Sequence, residues 1–173
     1  MKLSRKAVAG IVGAVLAPIV VLVGPAGLAS AHGYVNSPAS RQAQCAQHVV
    51  QNCGDVQYEP QSVEGPKGLK SCNAGVSRFA QLNDDGKGWR VSPIGKSAQF
   101  TWVFTARHRT SNYQYFIGNT KVGDFSGNNQ VPSGNVSHTV NLNNYSGRQK
   151  ILAVWNIADT SNAFYACIDV QVG

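Results

Sequence analysis

The second half of the chain is divided into short segments in which apolar and polar residues alternate. In residues 99–108 one parity is almost entirely apolar: Phe100, Trp102, Phe104, Ala106, and finally His108. Similar β-rich runs follow at 113–117, 136–142, 150–157 and 163–172, separated by turn-rich stretches such as 118–119 and 126–129. Alternate residues of a strand face opposite sides of a sheet, so these segments predict strands. Short strands at this spacing predict a mostly β fold, a β-sandwich.

Residues 33–88 have a different character. They are rich in glycine and glutamine, contain three of the four cysteines and show no sustained period. We predict a long loop region with short helices, carried on an immunoglobulin/fibronectin-III-like sandwich. Long loops within a compact domain are usually functional.

The N-terminus has the features of a secretory signal peptide. Three basic residues within the first six positions precede an apolar run at 7–23, and Ala29-Ser30-Ala31 follows as a cleavage site. A membrane anchor is the alternative, but the run is short and interrupted by glycine and proline. We predict cleavage after Ala31, secretion to the extracellular space, and a single mature domain at 32–173.

Charge and composition exclude several classes of protein. Only 13% of residues are charged, which disfavours coiled coils and disordered tails. The chain has 15 basic and 8 acidic residues, but the signal peptide holds three of the basic ones. The mature chain therefore retains 12 basic residues and a net charge of +4, without a basic cluster, so we expect no nucleic-acid partner and no membrane association after cleavage.

The four cysteines predict two disulfides in an oxidising compartment. Cys45 and Cys53 would close a small loop, which leaves Cys72 and Cys167 to join an early loop to the last strand. Three pairings are open from the sequence alone. A zinc site is disfavoured because the sequence has no CxxC pair.

Cleavage after Ala31 would place His32 at the new N-terminus. A terminal histidine offers two metal ligands, its α-amino group and a ring nitrogen, and the amine loses its proton readily to a metal. A second imidazole would complete a planar set of three nitrogens, which favours Cu(II). The sequence therefore predicts one copper ion.

Three histidines could supply the second imidazole. His138 lies on the same side of its predicted strand as apolar residues, so we expect it in or beside the core. His48 is expected to be solvated in the loop between Cys45 and Cys53. His108 ends an apolar strand, and a strand end is a rigid mount for a ligand. His108 is the best candidate, although a structural role is the alternative.

Other candidate residues are less specific by position alone. The spacing of Glu59 and Glu64 in a loop does not fix the distance between their carboxylates, so the two residues are only a weak indication of a hydrolytic pair. Either is better explained as an acid beside a metal or in contact with a substrate. Asp159 could be a turn residue, and Phe164 has the parity of core residues.

Several motifs together resemble the bacterial lytic polysaccharide monooxygenases of auxiliary activity family ten. They are His32-Gly33-Tyr34-Val35, Ser37-Pro38-Ala39-Ser40-Arg41, residues 56–65, Thr105-Ala106-Arg107-His108, and Asn162-Ala163-Phe164-Tyr165. The resemblance covers essentially the whole mature chain.

The resemblance implies a copper ion held by the His32 amine, the His32 ring and the His108 ring, an arrangement called a histidine brace. It implies that Phe164 and Ala106 occupy the two axial sides without coordinating copper. It also implies that Glu64 is an acid that orders small molecules near the metal, and that Glu64 lies within reach of the substrate.

The resemblance also implies the reaction and its partners. A monomeric enzyme would receive electrons from an external donor, use hydrogen peroxide or oxygen, and cleave crystalline chitin oxidatively at C1, with cellulose a further substrate to consider. Tyr58, Glu59, Glu64 and Asp159 would lie on a flat face that meets the polysaccharide.

The sequence departs from some relatives in the short segment at 68–89 and in a 117–136 connection without cysteines, so Cys72–Cys167 is expected to replace a disulfide placed later in those relatives.

Two other functions stay open. A non-catalytic chitin-binding module would not need His32 at the cleavage point. An extracellular copper carrier often has extra methionine or histidine sites, and the mature chain contains no methionine.

Overall fold

Two sheets form the framework of the protein in the computed structural model, which describes residues 31–173. The predicted signal peptide lies outside the described residues except for Ala31. The strands are β1 (His32–Ser37), β2 (Glu64–Pro66), β3 (Ser92–Ile94), β4 (Ser97–Ala106), β5 (Thr110–Ile117), β6 (Thr120–Gln130), β7 (Val136–Asn141), β8 (Gly147–Ile157) and β9 (Asn162–Val172). One sheet has the order β1-β4-β7, and the other has the order β2-β9-β8-β5-β6, with β3 also paired to β9.

The predicted β-sandwich is confirmed, but four of the nine strands in the described residues were not predicted: β1, β2, β3 and β6. The predicted runs correspond to β4, β5, β7, β8 and β9, whereas residues 126–129, interpreted as a turn, lie inside β6. β6 is an edge strand that is largely exposed, so it needs no apolar alternation. Its turn-like residues Asn128 and Asn129 have positive φ and lie at a register shift opposite β5, where the two strands are irregularly paired.

The inner core lies between the two sheets. Alternate residues of β4, β5, β8 and β9 meet there, and the parity predicted for β4 places Phe100 and Trp102 fully inside. Aromatic rings dominate this core, with Trp155 edge-on to Phe104 at 4.7 Å between ring centroids. Such rings bury large apolar areas, so the core stabilises the sandwich mainly by the hydrophobic effect.

The region 41–89 covers the outer face of the larger sheet. It contains one short helix, α1 (Arg41–Ala46), and three 3₁₀ helices at Gly54–Gln57, Pro60–Ser62 and Ser77–Asn83. This confirms the predicted loop region with short helices. Its apolar side chains form a second cluster with outward-facing residues of β8 and β9. None of the helices in the described part of the chain is long and apolar enough to cross a membrane.

Two disulfides and a buried ion pair fasten this outer layer. Cys45 bonds Cys53, and Cys72 bonds Cys167 on β9, as predicted. The Arg41 side chain is 1% exposed and donates to both carboxylate oxygens of Asp169, also on β9. Removing one partner of such a buried pair costs about 3–5 kcal/mol of folding free energy. Covalent and ionic links therefore hold the loop region on the sheet.

His138 packs beside the core, as predicted. Its ring is stacked on Phe125 at 4.4 Å and lies 4.7 Å from the ring of Tyr113. Its Nδ1 is 2.9 Å from the hydroxyl of Tyr115. Burial lowers the pKa of His138 to about 4, because the cluster solvates the charged ring poorly.

This pKa shift predicts a loss of stability in acid. The folded-state pKa lies below the ordinary value, so the unfolded chain binds more protons between about pH 6.5 and pH 4. The contribution of His138 to the free energy of unfolding is therefore fully present above pH 6.5 and is lost as the pH falls towards 4. We expect His138→Gln to reduce the loss of unfolding free energy over this range by on the order of 1–2 kcal/mol, allowing for solvent screening. Denaturant titrations at several pH values measure it.

The exposed His48 provides the matched control. His48→Gln should retain the acid sensitivity of the parent chain. An unchanged pH dependence in His138→Gln would show that another group is responsible.

Candidate functional site

The sequence-predicted site residues gather at one end of the sandwich. The antiparallel registers place the starts of β1, β5 and β9 at the same end as the last residues of β4 and β8. The connection at 107–109, between β4 and β5, and the connection at 158–161, between β8 and β9, therefore lie at this end. β2 joins them by pairing with the start of β9.

The pairing of β1 with β4 brings the two predicted metal ligands into the same neighbourhood. His32, the first residue of β1, is directly opposite Ala106, the last residue of β4. His108 follows Ala106 by two residues in the 107–109 connection, so the predicted strand-end histidine lies just beyond the strand. Their side chains are both partly buried. The backbone thus presents two imidazoles and a small alanine at one edge.

Phe164 forms the apolar floor next to His32. Its ring centroid lies 6.3 Å from that of His32 and 5.0 Å from that of Trp155, and Phe164 is fully buried. Trp155 continues into the inner core. The core therefore holds the Phe164 ring in place beside His32, and its burial agrees with the alternation pattern of the strand, which indicated a core residue.

Glu64 is held next to Phe164 by backbone pairing. The two residues are directly opposite each other in β2 and β9. The Nδ2 of Asn162 donates to Oε1 of Glu64 at 2.8 Å, which fixes one oxygen of the carboxylate. Asn162 was part of the motif that carried the resemblance but was given no role of its own. The structure identifies it as the partner of Glu64.

Asp159 contacts a predicted metal ligand. Its Oδ1 lies 2.7 Å from Nε2 of His108, while the carboxylate side chain is 45% exposed. This hydrogen bond lowers the pKa of Asp159, so the carboxylate stays charged near neutrality. Carboxylates bonded to a histidine ring fix the orientation of the ring. Asp159 is therefore more than a turn residue.

The backbone of His108 is supported from the core. Thr110 Oγ1 donates to the His108 carbonyl at 3.1 Å and accepts from Trp155 Nε1 at 2.7 Å. Thr110 was not predicted as a site residue, because no pattern in the sequence distinguishes it. The contact anchors an exposed connection to a buried indole.

Tyr58 and Glu59 lie in the loop region, a few residues before β2 begins at Glu64. Tyr58 is the most exposed large apolar side chain of the described residues, at 79%. Glu59 forms a bidentate ion pair with Arg78, a residue that sequence reasoning did not select. An exposed aromatic ring beside charged groups suits contact with a sugar surface.

The other two histidines lie elsewhere. His138 pairs with Phe100 near the middle of β4, and the neighbour of His48, Gln47, bonds Asn36 close to the far end of β1. Within residues 31–173, no group of three or more histidine, cysteine or acidic side chains converges on one point. The candidate metal donors are the rings of His32 and His108.

This donor set fits copper. Imidazole nitrogens are good ligands for Cu(II), and two of them, at the start of β1 and just beyond the end of β4, need only one more nitrogen for a planar set. In the full chain the His32 backbone nitrogen is an amide bonded to Ala31; cleavage there converts it into an amine. The residues present therefore fit the predicted ion once the preceding segment is removed.

Comparisons with known proteins agree with this geometry. Residues 32–170 match a family model described as "Lytic polysaccharide mono-oxygenase, cellulose-degrading". The chain is 55% identical over 163 residues to a lytic chitin monooxygenase of Streptomyces ambofaciens, covering 94% of each protein. It is 35% identical to a lytic chitin monooxygenase of Enterococcus faecalis, covering 92% of this chain and 91% of that protein.

Solved structures agree as well. The neutron structure of a Jonesia denitrificans lytic polysaccharide monooxygenase superposes with a TM-score of 0.79 at 42% identity. That comparison covers 82% of this chain and 100% of the solved one. An auxiliary activity family ten enzyme from Streptomyces lividans gives a TM-score of 0.75 at 37% identity, covering 81% and 99% of the two chains.

Two glycines allow the backbones of the site to approach closely. A Cβ at Gly33, next to His32, would lie 2.9 Å from the Val103 carbonyl oxygen. A Cβ at Gly65, next to Glu64, would lie 2.1 Å from the Ala74 carbonyl oxygen. Real side chains do not tolerate such contact with backbone, so both positions need glycine.

We expect Gly65→Ala to disturb β2 and the neighbouring Glu64. The added methyl group must displace the backbone at Ala74, which should lower the free energy of unfolding by about 1–3 kcal/mol. Denaturant unfolding measures the change. Gly134→Ala is the control, because a Cβ at Gly134 meets nothing within 4 Å. Equal stability of the two variants would contradict the close approach.

Proposed function

The chain belongs to the lytic polysaccharide monooxygenases of auxiliary activity family ten, and from this premise we propose that it is a secreted copper enzyme that cleaves crystalline chitin oxidatively. The observation that carries the proposal is the pairing of His32 with Ala106, two residues before His108. The 55% identity to a lytic chitin monooxygenase over nearly the whole of both chains supports chitin as the substrate.

The mature site is formed by removal of residues 1–31. We infer that this segment is a signal peptide, since its basic start, apolar run and small-residue cleavage site have the required order. The free amine of His32, its ring and the ring of His108 would then hold one copper ion. Copper supplies the change between Cu(II) and Cu(I), by which electrons from an external donor activate oxygen or hydrogen peroxide.

The residues beside the two histidines would offer a bound metal no further ligand. Phe164 presents an apolar ring beside His32, and Ala106, opposite His32 in the register of β1 and β4, presents only a methyl group. Neither residue carries a group that could act as a ligand. The nitrogen donors of His32 and His108 would therefore hold the copper, without a ligand from Phe164 or Ala106.

Glu64 and Asp159 are the acids of the site. Asn162 orients the Glu64 carboxylate, which can accept a hydrogen bond or a proton from a small polar molecule. Asp159 orients the His108 ring. The two acids therefore have separate tasks, one towards the co-substrate and one towards the metal ligand.

The exposed surface around the two histidines is the substrate face. A polysaccharide crystal cannot enter a deep cleft, so the groups that meet it must stand on the protein surface. Tyr58 provides an exposed ring for stacking against sugars, and Asp159 is partly exposed beside His108. We propose that the enzyme acts as a monomer and that oxidation occurs at C1, which gives aldonic-acid ends.

The first test identifies the products. We expect the mature, copper-loaded protein with β-chitin and ascorbate to release chitooligosaccharides with aldonic-acid ends, detected by mass spectrometry. Omitting the reductant or adding a chelator should abolish them. Because the matching family model is described as cellulose-degrading, cellulose is the parallel substrate.

The alternatives give different results in the same assay. Native, unoxidised oligosaccharides would indicate hydrolysis. Tight chitin binding without products would indicate a non-catalytic module, and copper binding without affinity for either polymer would indicate a copper carrier. Oxidation at C4 would contradict the proposed regiochemistry alone.

The second test concerns the metal ligand. His108→Ala should weaken Cu(II) binding by more than about a hundredfold, since loss of even an outer contact to a ligand costs ten- to a hundredfold. Isothermal titration calorimetry on the mature protein measures the affinity. His48→Ala, at an exposed histidine distant from β1's start, should bind copper normally. Parent-like affinity in His108→Ala would remove His108 from the ligand set.

A further inference from the structure

Arg78 is attached to the substrate face by an ion pair. Its Nη1 and Nη2 donate to the two carboxylate oxygens of Glu59, the Nη2 bond being 3.2 Å long. The guanidinium also lies over the ring of Phe79 at 4.4 Å from the centroid. Phe79 is fully buried, so it forms a fixed platform. Arg78 is therefore held in one orientation although its side chain is 49% exposed.

This arrangement changes the role that Glu59 can play. Both of its oxygens already accept hydrogen bonds from Arg78, and its side chain is only 28% exposed. A carboxylate engaged in this way is a poor free acceptor for sugar hydroxyls. A guanidinium has further N–H donors beyond the two that a bidentate carboxylate uses, and those of Arg78 are accessible.

Arg78 is linked through Glu59 to the exposed ring of Tyr58, which precedes Glu59 in the chain. Tyr58 offers a stacking surface and Arg78 offers charged donors, so the two chemistries are complementary. Chitin carries an acetamido carbonyl on each sugar, which is a stronger acceptor than a hydroxyl group, whereas cellulose carries only hydroxyls. A charged donor forms its strongest hydrogen bonds with such an acceptor.

We propose that Arg78 is a specificity-determining residue that donates hydrogen bonds to the acetamido carbonyl groups of chitin, and that Glu59 positions it. The inference rests on the proposed function, because it assumes that this face meets the polysaccharide. Discrimination between chitin and cellulose then depends on the Arg78 guanidinium, which Glu59 holds, rather than on the Glu59 carboxylate itself.

Binding isotherms test this with the mature, copper-loaded protein and no reductant. Arg78→Ala should weaken binding to β-chitin by about ten- to a hundredfold, the loss expected for a hydrogen bond from a charged group. Its binding to microcrystalline cellulose should change by less than about twofold. Arg78→Lys keeps the charge without the fork, so its chitin affinity should lie between those of the parent and Arg78→Ala.

Two further variants separate this role from general effects. Arg148→Ala removes a half-exposed arginine at the start of β8, the opposite end of the sandwich, and should bind both polymers normally. Glu59→Gln keeps Arg78 but removes its charged anchor, so it should lose less chitin affinity than Arg78→Ala. Thermal unfolding and the Cu(II) electron paramagnetic resonance spectrum of each variant should match those of the parent protein.

Each other outcome overturns the inference. Parent-like chitin binding by Arg78→Ala would exclude Arg78 as a contact. Equal losses on chitin and cellulose would show that Arg78 only holds the loop of Tyr58. A larger loss in Glu59→Gln than in Arg78→Ala would return the contact to the acid. If the parent protein oxidises chitin, these results leave the proposed function intact; a parent protein that neither binds nor oxidises chitin overturns both.

Discussion

Burial of β9 on both of its faces is the constraint on which the rest of the structure depends. One face of the strand packs into the inner core, and the other is covered by the region 41–89. A strand buried on both sides is rigid, and its start carries Asn162 and Phe164 while Cys167 and Asp169 fasten the outer layer. The same strand therefore stabilises the fold and places two residues of the site.

The outer layer is attached to β9 at several points. β2 pairs with the start of the strand and so brings Glu64 opposite Phe164. The Cys72–Cys167 disulfide and the buried Arg41–Asp169 pair hold the remainder. Tyr58 and Glu59 thus belong to a loop region that is fixed on the sheet, and a flat binding face needs such fixed side chains, since ordering a mobile loop on binding would cost affinity.

The sequence predicted the elements whose residues repeat or whose chemistry is distinctive. Strict alternation identified β4, and the parity of β9 identified its buried residues. Motifs around His32 and His108 indicated the two candidate ligands, which the pairing of β1 and β4 brings to one edge. β6 was missed because an exposed edge strand needs no alternation and its asparagines resemble a turn. Contacts between aperiodic segments, such as Glu59 with Arg78, depend on loop conformations that no local pattern reveals.

The central claim is that copper is held by His108 together with the ring and the free amine of His32. Copper titration of two chains tests it most directly, one beginning at His32 and the other retaining Ala31 as a single extra residue. The account predicts tight Cu(II) binding and the electron paramagnetic resonance spectrum of a three-nitrogen planar site only for the chain that begins at His32. Equal affinity and identical spectra for the two chains would contradict it.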